Sequence, residues 1–139
     1  MKARWLYYTA AVLLALFAIG HQLGFRIVDP SWHANDVVAS MKQTHFVVQG
    51  FDRTYWSFFS GFGFFSTVFL LFSALLAFEL GRLRDDTRAQ LATVRWAFAV
   101  CFVAITLLMW TNFFAAPLVF SALIALCLLL AARQRAMPS

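Results

Sequence analysis

Three side chains in the first half of the chain are of the types that acid–base chemistry uses: His21, His45 and Asp52. A histidine changes protonation near neutral pH, and a neighbouring carboxylate can orient its ring and stabilise the charged form. In that reading His21 or His45 is the acid/base and Asp52 its orienting partner. The same neighbourhood can bind rather than react. His21, Gln22, His45, Asp52, Arg53, Tyr55, Trp56 and Asn112 supply charge, hydrogen-bond donors and acceptors, and aromatic faces. Such a set suits the polar end of a lipid or another amphipathic molecule. A third reading has no ligand: a cluster of ion pairs and hydrogen bonds simply fixes a loop. His21, His33 and His45 are spaced twelve residues apart, which is not a local chelating pattern. A metal site would need them to converge through folding, with Asp29 or Asp36 as a further ligand. No metal and no cofactor is assigned.

These residues sit at the ends of apolar runs, and the runs decide where they can meet. Of the 139 residues, 63% are hydrophobic and 12% are charged, against about 25% charged in soluble domains. The 17 Phe and 5 Trp are more aromatic surface than so small a water-soluble core can bury. Four runs, at about 5–24, 55–80, 96–113 and 116–132, approach the roughly 20 residues that cross a ~30 Å hydrocarbon layer. Their continuous apolar character fits helices and not lipid-facing strands. The expectation is an all-α, integral membrane four-helix bundle, with 1–139 as a single transmembrane domain. His21 and Gln22 then lie near the end of the first span, Tyr55 and Trp56 at the start of the second, and Asn112 near the end of the third. All belong to one end of the bundle.

Charge gives the direction. Eight of the eleven basic residues (Lys2, Arg4, Arg82, Arg84, Arg88, Arg95, Arg133, Arg135) flank spans on one side. The other side has Arg26, Lys42 and Arg53, offset by Asp29, Asp36 and Asp52. The positive-inside rule places both termini and the middle loop in the cytoplasm. It also accounts for the net charge of +5 without a nucleic acid partner, since no basic face is left to follow a phosphate backbone. Met1-Lys2-Ala3-Arg4 resembles the start of a signal peptide, but no persuasive small-residue cleavage site follows. The first span is read as retained. Trp5 and Trp96 near the inner boundary, and Trp32, Trp56 and Trp110 near the outer one, suit interfacial anchors.

The connections carry local signals. Gly81 can end the second helix, and Asp86 or Thr87 can cap the third. Asn112-Phe113-Phe114-Ala115-Ala116-Pro117 is a tight turn that makes the last two spans antiparallel neighbours. The last span is short enough that it must begin before Pro117 or meet a thinned bilayer. The long outer loop, 26–54, is expected to contain a helix beginning near Pro30-Ser31. Val37, Val38, Met41, His45 and Val48 recur along it. A strand at Phe46-Val47-Val48 is the alternative, without an evident partner. In the second span Ser57/Gly61, Gly63/Thr67 and Ser73/Ala77/Gly81 form a small-residue stripe for close helix packing, within one chain or across a homodimer. Glu79 is expected to pair with Arg82 or Arg84, and Cys101 and Cys127 to pack as small hydrophobes.

The segment Gly50-Phe51-Asp52-Arg53-Thr54-Tyr55-Trp56, followed by Gly61-Phe62-Gly63, resembles a signature of small, uncharacterised bacterial four-span inner-membrane proteins. That resemblance implies the architecture and a bacterial inner membrane, and carries no activity with it. Three functional classes stay open. One is binding of a lipid or other amphipathic molecule at the outer mouth. Another is a small His/Asp enzyme, and the third is an accessory or assembly subunit of a larger membrane complex. The orientation is directly testable. With Cys101 and Cys127 replaced by Ala, Ser31→Cys should react in intact cells with a membrane-impermeant thiol reagent, and Asp85→Cys only after permeabilisation. The reverse pattern would invert the topology.

Overall fold

Apolar chain in hydrocarbon must satisfy its backbone internally, and the four runs do so as helices. A computed structural model describes residues 3–134; Lys2 and Arg135 of the charge pattern lie outside them. The order is α1 (Ala3–Gly24), a 3₁₀ turn (Pro30–Trp32), α2 (Asn35–Gln43), β1 (His45–Val48), β2 (Phe51–Thr54), α3 (Tyr55–Arg82), α4 (Asp85–Gln90), α5 (Ala92–Asn112) and α6 (Ala115–Arg133). Among the described residues, α1, α3, α5 and α6 are long and apolar enough to cross a membrane, with 22, 28, 21 and 19 residues. At ~1.5 Å per residue they measure about 33, 42, 32 and 29 Å. The fold is therefore predominantly helical, with four candidate spans and a decorated first loop. Most span surface is left for lipid: Phe62 is 68% exposed and Leu107 63%. The chain divides into two compact units, Met1–Phe17 with Leu70–Ser139, and Ala18–Phe69.

The first unit is a four-helix bundle. Its buried positions recur at helical spacing: Leu6, Tyr7, Ala10 and Leu14 on α1; Leu70, Ser73, Ala77 and Leu80 on α3; Phe98, Ala99 and Phe102 on α5; Ser121, Ile124, Ala125 and Leu128 on α6. Phe113 and Phe114 alone separate α5 from α6, which pack side by side as antiparallel neighbours. Pro117 is the third residue of α6, where an N–H would have no intrahelical acceptor. Gly81 lies inside α3 and does not end it. A Cβ there would come within 2.7 Å of the Tyr8 ring, so the glycine serves as a seat for an aromatic side chain. Cys101 and Cys127 are free thiols.

The middle connection departs from expectation. It holds a helix of its own, α4, whose preceding residue Arg84 makes no side-chain cap. Asp86 bonds the N–H of Thr87, and this bond holds its carboxyl below the usual carboxylate range. The capping that matters is done by two buried arginines. Arg88 donates from Nε to the Leu80 carbonyl at 2.8 Å, and further to Gly81 and Leu83 oxygens, with Asp85 as its counterion. It thereby closes the C-terminus of α3. Arg95 donates to the Tyr7 hydroxyl on α1 (3.2 Å), the Arg88 carbonyl (3.4 Å), and the Ala131, Ala132 and Gln134 carbonyls ending α6 (2.8, 2.9 and 2.8 Å). The last carbonyls of a helix lack intrahelical donors and carry partial negative charge, so a guanidinium fork suits them twice over. Glu79 pairs with Arg82 at 2.9 Å, as its spacing suggests.

In the second unit, the stretch after α1 turns through Pro30–Trp32, capped by Asp29, which accepts from the Ser31 N–H at 2.7 Å. Hydrogen bonding from Ser31, side chain first and backbone second, holds the Asp29 carboxyl below the usual range. The expected loop helix is present as α2 but ends at Gln43. His45 and Val48, assigned to it from spacing, lie in β1 instead. The strand at Phe46–Val48 does have a partner: it pairs antiparallel with β2. Gln49 and Gly50, with φ of 52° and 83°, form the left-handed two-residue turn that matches hairpin twist.

Replacing Arg95 by Leu leaves several buried carbonyls and the Tyr7 hydroxyl unsatisfied, each at a cost of about 1–3 kcal/mol. Tyr7→Phe removes one hydrogen bond, worth about 1 kcal/mol. Thermal unfolding in detergent should show a much larger drop for Arg95→Leu than for Tyr7→Phe. Equal midpoints would mean that Arg95 does not tie these helices together.

Candidate functional site

The sequence-selected residues at the loop end sit on elements with little freedom. Thr54 and Ser57 form a reciprocal cap at the start of α3. The Ser57 N–H donates to Thr54 Oγ1 at 3.1 Å and the Thr54 N–H to Ser57 Oγ at 3.0 Å. The hairpin thus enters α3 without a linker. Its register pairs His45 with Thr54, Phe46 with Arg53, Val47 with Asp52 and Val48 with Phe51. Alternation places His45 and Asp52 on one face and Phe46 and Arg53 on the other. Phe46 lies against Tyr55 and Phe58, with ring centroids 5.0 and 5.3 Å apart. This fastens the hairpin to the first turn of α3.

His45 and Asp52 meet as the sequence reading supposed: Nδ1 lies 3.0 Å from Oδ1. The geometry is that of a carboxylate orienting an imidazole. Both side chains are 61% exposed, so water surrounds the pair. Arg53 does not pair with the Asp52 carboxylate. Its Nη1 donates to the Asp52 backbone oxygen at 2.6 Å, and its guanidinium lies over the Phe51 ring.

His21 and Gln22 belong to a different cluster, joined by a residue that sequence reasoning treated only as part of a small-residue stripe. Thr67 donates to Gln22 Oε1 at 3.1 Å and to the Gly63 carbonyl at 3.2 Å. With the hydroxyl proton so used, His21 Nδ1 donates to Thr67 Oγ1 at 3.1 Å. The imidazole stacks on Phe25, whose ring fills the space over Gly63 so closely that any side chain there would collide with it. The spacing Gly63/Thr67 was the available signal: a glycine for the ring, then a hydroxyl one turn on. Gly61 has open space around it. Asn112, in the first unit, folds back on its own helix, donating to the Leu108 carbonyl and the Thr111 hydroxyl. The eight selected residues therefore divide into a His45–Asp52 pair, His21 and Gln22 joined through Thr67, and four others, with no hydrogen bond linking the pair to the Thr67 cluster. Among the described residues no three His, Cys, Asp or Glu side chains gather as a metal-binding group.

Two open grooves flank α2, and its 3.6-residue period divides its side chains between them. Asn35, Val38, Ala39, Lys42 and Gln43 line a groove of about 430 Å³ that Arg26, Val28 and Trp56 complete. Asp36, Val37, Ser40, Met41 and Thr44 line one of about 440 Å³ that Tyr55 completes. Trp56 and Tyr55, adjacent in the first turn of α3, thus face different grooves. Lys42 Nζ lies 4.8 Å from the Trp56 ring centre. Arg26 and Lys42 are the residues that sequence reasoning passed over as site candidates. It counted them only as outer-side charges.

Compared with known proteins, the chain matches no family model, no curated protein and no solved structure. What can be said of the site rests on its own geometry. Thr67→Val should leave His21 and Gln22 without their shared partner and cost about 1 kcal/mol, the scale of interhelical hydrogen bonds in membranes. Asp52→Asn should change stability by less than about 0.5 kcal/mol, because exposed ion pairs contribute little. Melting curves in detergent that ranked the two in the opposite order would assign the structural role to the hairpin pair.

Proposed function

We propose that this chain is a multi-pass protein of a bacterial inner membrane, with cytoplasmic termini, that binds a lipid or similar amphipathic molecule at the outer mouth. The observation that carries the reading is the groove between α2 and Trp56. Val28, Val38, Ala39 and the indole of Trp56 give it an apolar side, and Arg26, Asn35, Lys42 and Gln43 a polar one. Ligand sites combine apolar walls with a few polar groups in this way. Its position supports a lipid in particular. Arg26 follows the end of α1 by two residues, and Trp56 is the second residue of α3. Both span ends therefore bring the groove to the level where headgroups lie and where tryptophan is favoured.

Hairpin residues Arg53 and His45, and Tyr55 at the start of α3, belong to the rim of this reading and do not line the Trp56 groove. Acid–base chemistry would fall to His45 and Asp52, whose exposure gives no means of excluding water from a reaction. Binding is accordingly the function that the arrangement supports best.

Native mass spectrometry of protein extracted in a mild neutral detergent tests it. Wild-type protein should retain a lipid-sized adduct. Ala39→Trp fills the groove with a ring and should lower retention about tenfold, the equivalent of 1.4 kcal/mol. Wild-type protein free of adducts, or undiminished retention by the variant, would reject the reading.

A further inference from the structure

Resting on that binding reading, we infer that the α2–Trp56 groove selects an anionic phospholipid, with Arg26 and Lys42 receiving its phosphate. The lining contains two cations and no acid. Neither cation takes part in an ion pair among the described residues, and neither donates a hydrogen bond to another protein group. Their positions are nevertheless set. The Arg26 guanidinium lies 5.2 Å from the Phe25 ring centre and 5.3 Å from that of Phe64, and Lys42 rests over Trp56. Aromatic faces attract cations without using their N–H donors. Both groups are thus placed with donors unspent, which is the state a phosphate binder needs. The amides of Asn35 and Gln43 stand beside them and are likewise unspent.

The groove across α2 supplies an internal comparison. It is of nearly equal volume, about 440 Å³, but its one charged lining residue is Asp36. One short helix therefore presents a cationic recess on one side and an anionic one on the other, so a negative headgroup is drawn to the first and repelled from the second. The apolar wall of Val28, Val38, Ala39 and Trp56 argues for phosphate carried on a lipid over free phosphate, which has no use for that surface.

Delipidated protein in neutral detergent, offered equimolar phosphatidylglycerol and phosphatidylcholine with identical acyl chains, tests the assignment by native mass spectrometry. Wild type should retain phosphatidylglycerol at least about fivefold better, the size of effect one basic side chain contributes near an anionic surface. The double variant Arg26→Gln/Lys42→Gln should lose the preference while still holding phosphatidylcholine. Arg26→Lys/Lys42→Arg, which conserves charge, and Arg133→Gln, which removes a cation elsewhere, should keep it. Millimolar inorganic phosphate should not compete. Equal retention of both lipids would overturn the anionic assignment and leave amphiphile binding standing. Retention of neither would overturn both. Competition by inorganic phosphate, or a preference surviving the double glutamine variant, would remove the lipid phosphate from Arg26 and Lys42.

Discussion

One guanidinium group joins α5 to α1, α4 and α6 in the first unit. Arg95 is 5% exposed, and among the described residues no carboxylate pairs with it. Its charge is balanced instead by helix ends, through carbonyls of α4 and α6, and by the Tyr7 hydroxyl of α1. Hydrocarbon supplies no hydrophobic force between helices, so contacts of this kind carry unusual weight. The arrangement also solves a problem created by burial. A helix that ends against other helices leaves carbonyls that water cannot reach, and one arginine with five donors answers several of them. Arg88 repeats the solution at the end of α3. Two charges that count in the sequence as signals of topology are therefore structural.

The second unit follows a different logic. Its elements are short, and α2 buries none of its residues. What orders them is local: the Asp29 cap, the left-handed Gln49-Gly50 turn, the Thr54–Ser57 exchange of hydrogen bonds, and Phe46 against the first turn of α3. Rigid anchoring of a small hairpin and a nine-residue helix at the ends of two spans is what gives the two grooves defined walls. The two faces of α2 differ in charge, with Arg26 and Lys42 on one side and Asp36 on the other.

Much of this was legible from residue order. The apolar runs marked the four long helices to within a few residues, and the Phe113-Phe114 connection foretold the α5–α6 hairpin. Glu79 found Arg82 because the partners are three residues apart. The His45–Asp52 contact was foreseen as a meeting of types, although the hairpin that makes it was not. Phe51-Asp52-Arg53-Thr54 read as the end of the outer loop, and its pairing with β1 depends on a turn whose signal, one glycine after a glutamine, is weak. Arg95 and Tyr7 are separated by 88 positions. Nothing in local spacing distinguishes an arginine that will be enclosed by helix ends from one that stays at the surface. Thr67 was hidden for a related reason: a hydroxyl near a glycine reads as packing until the facing side chains are known.

The order of synthesis gives Arg95 a further meaning. Its acceptors on the last helix and just beyond it follow 36 to 39 residues later in the chain. Until that helix is made and inserted, the guanidinium must stay in contact with interfacial water, and the hydroxyl of Tyr7 waits with it. A chain whose α6 is not yet in place therefore keeps a hydrated cation beside an open wall. Docking of α6 withdraws the cation from water, so concealment of the charge waits on the packing of that helix.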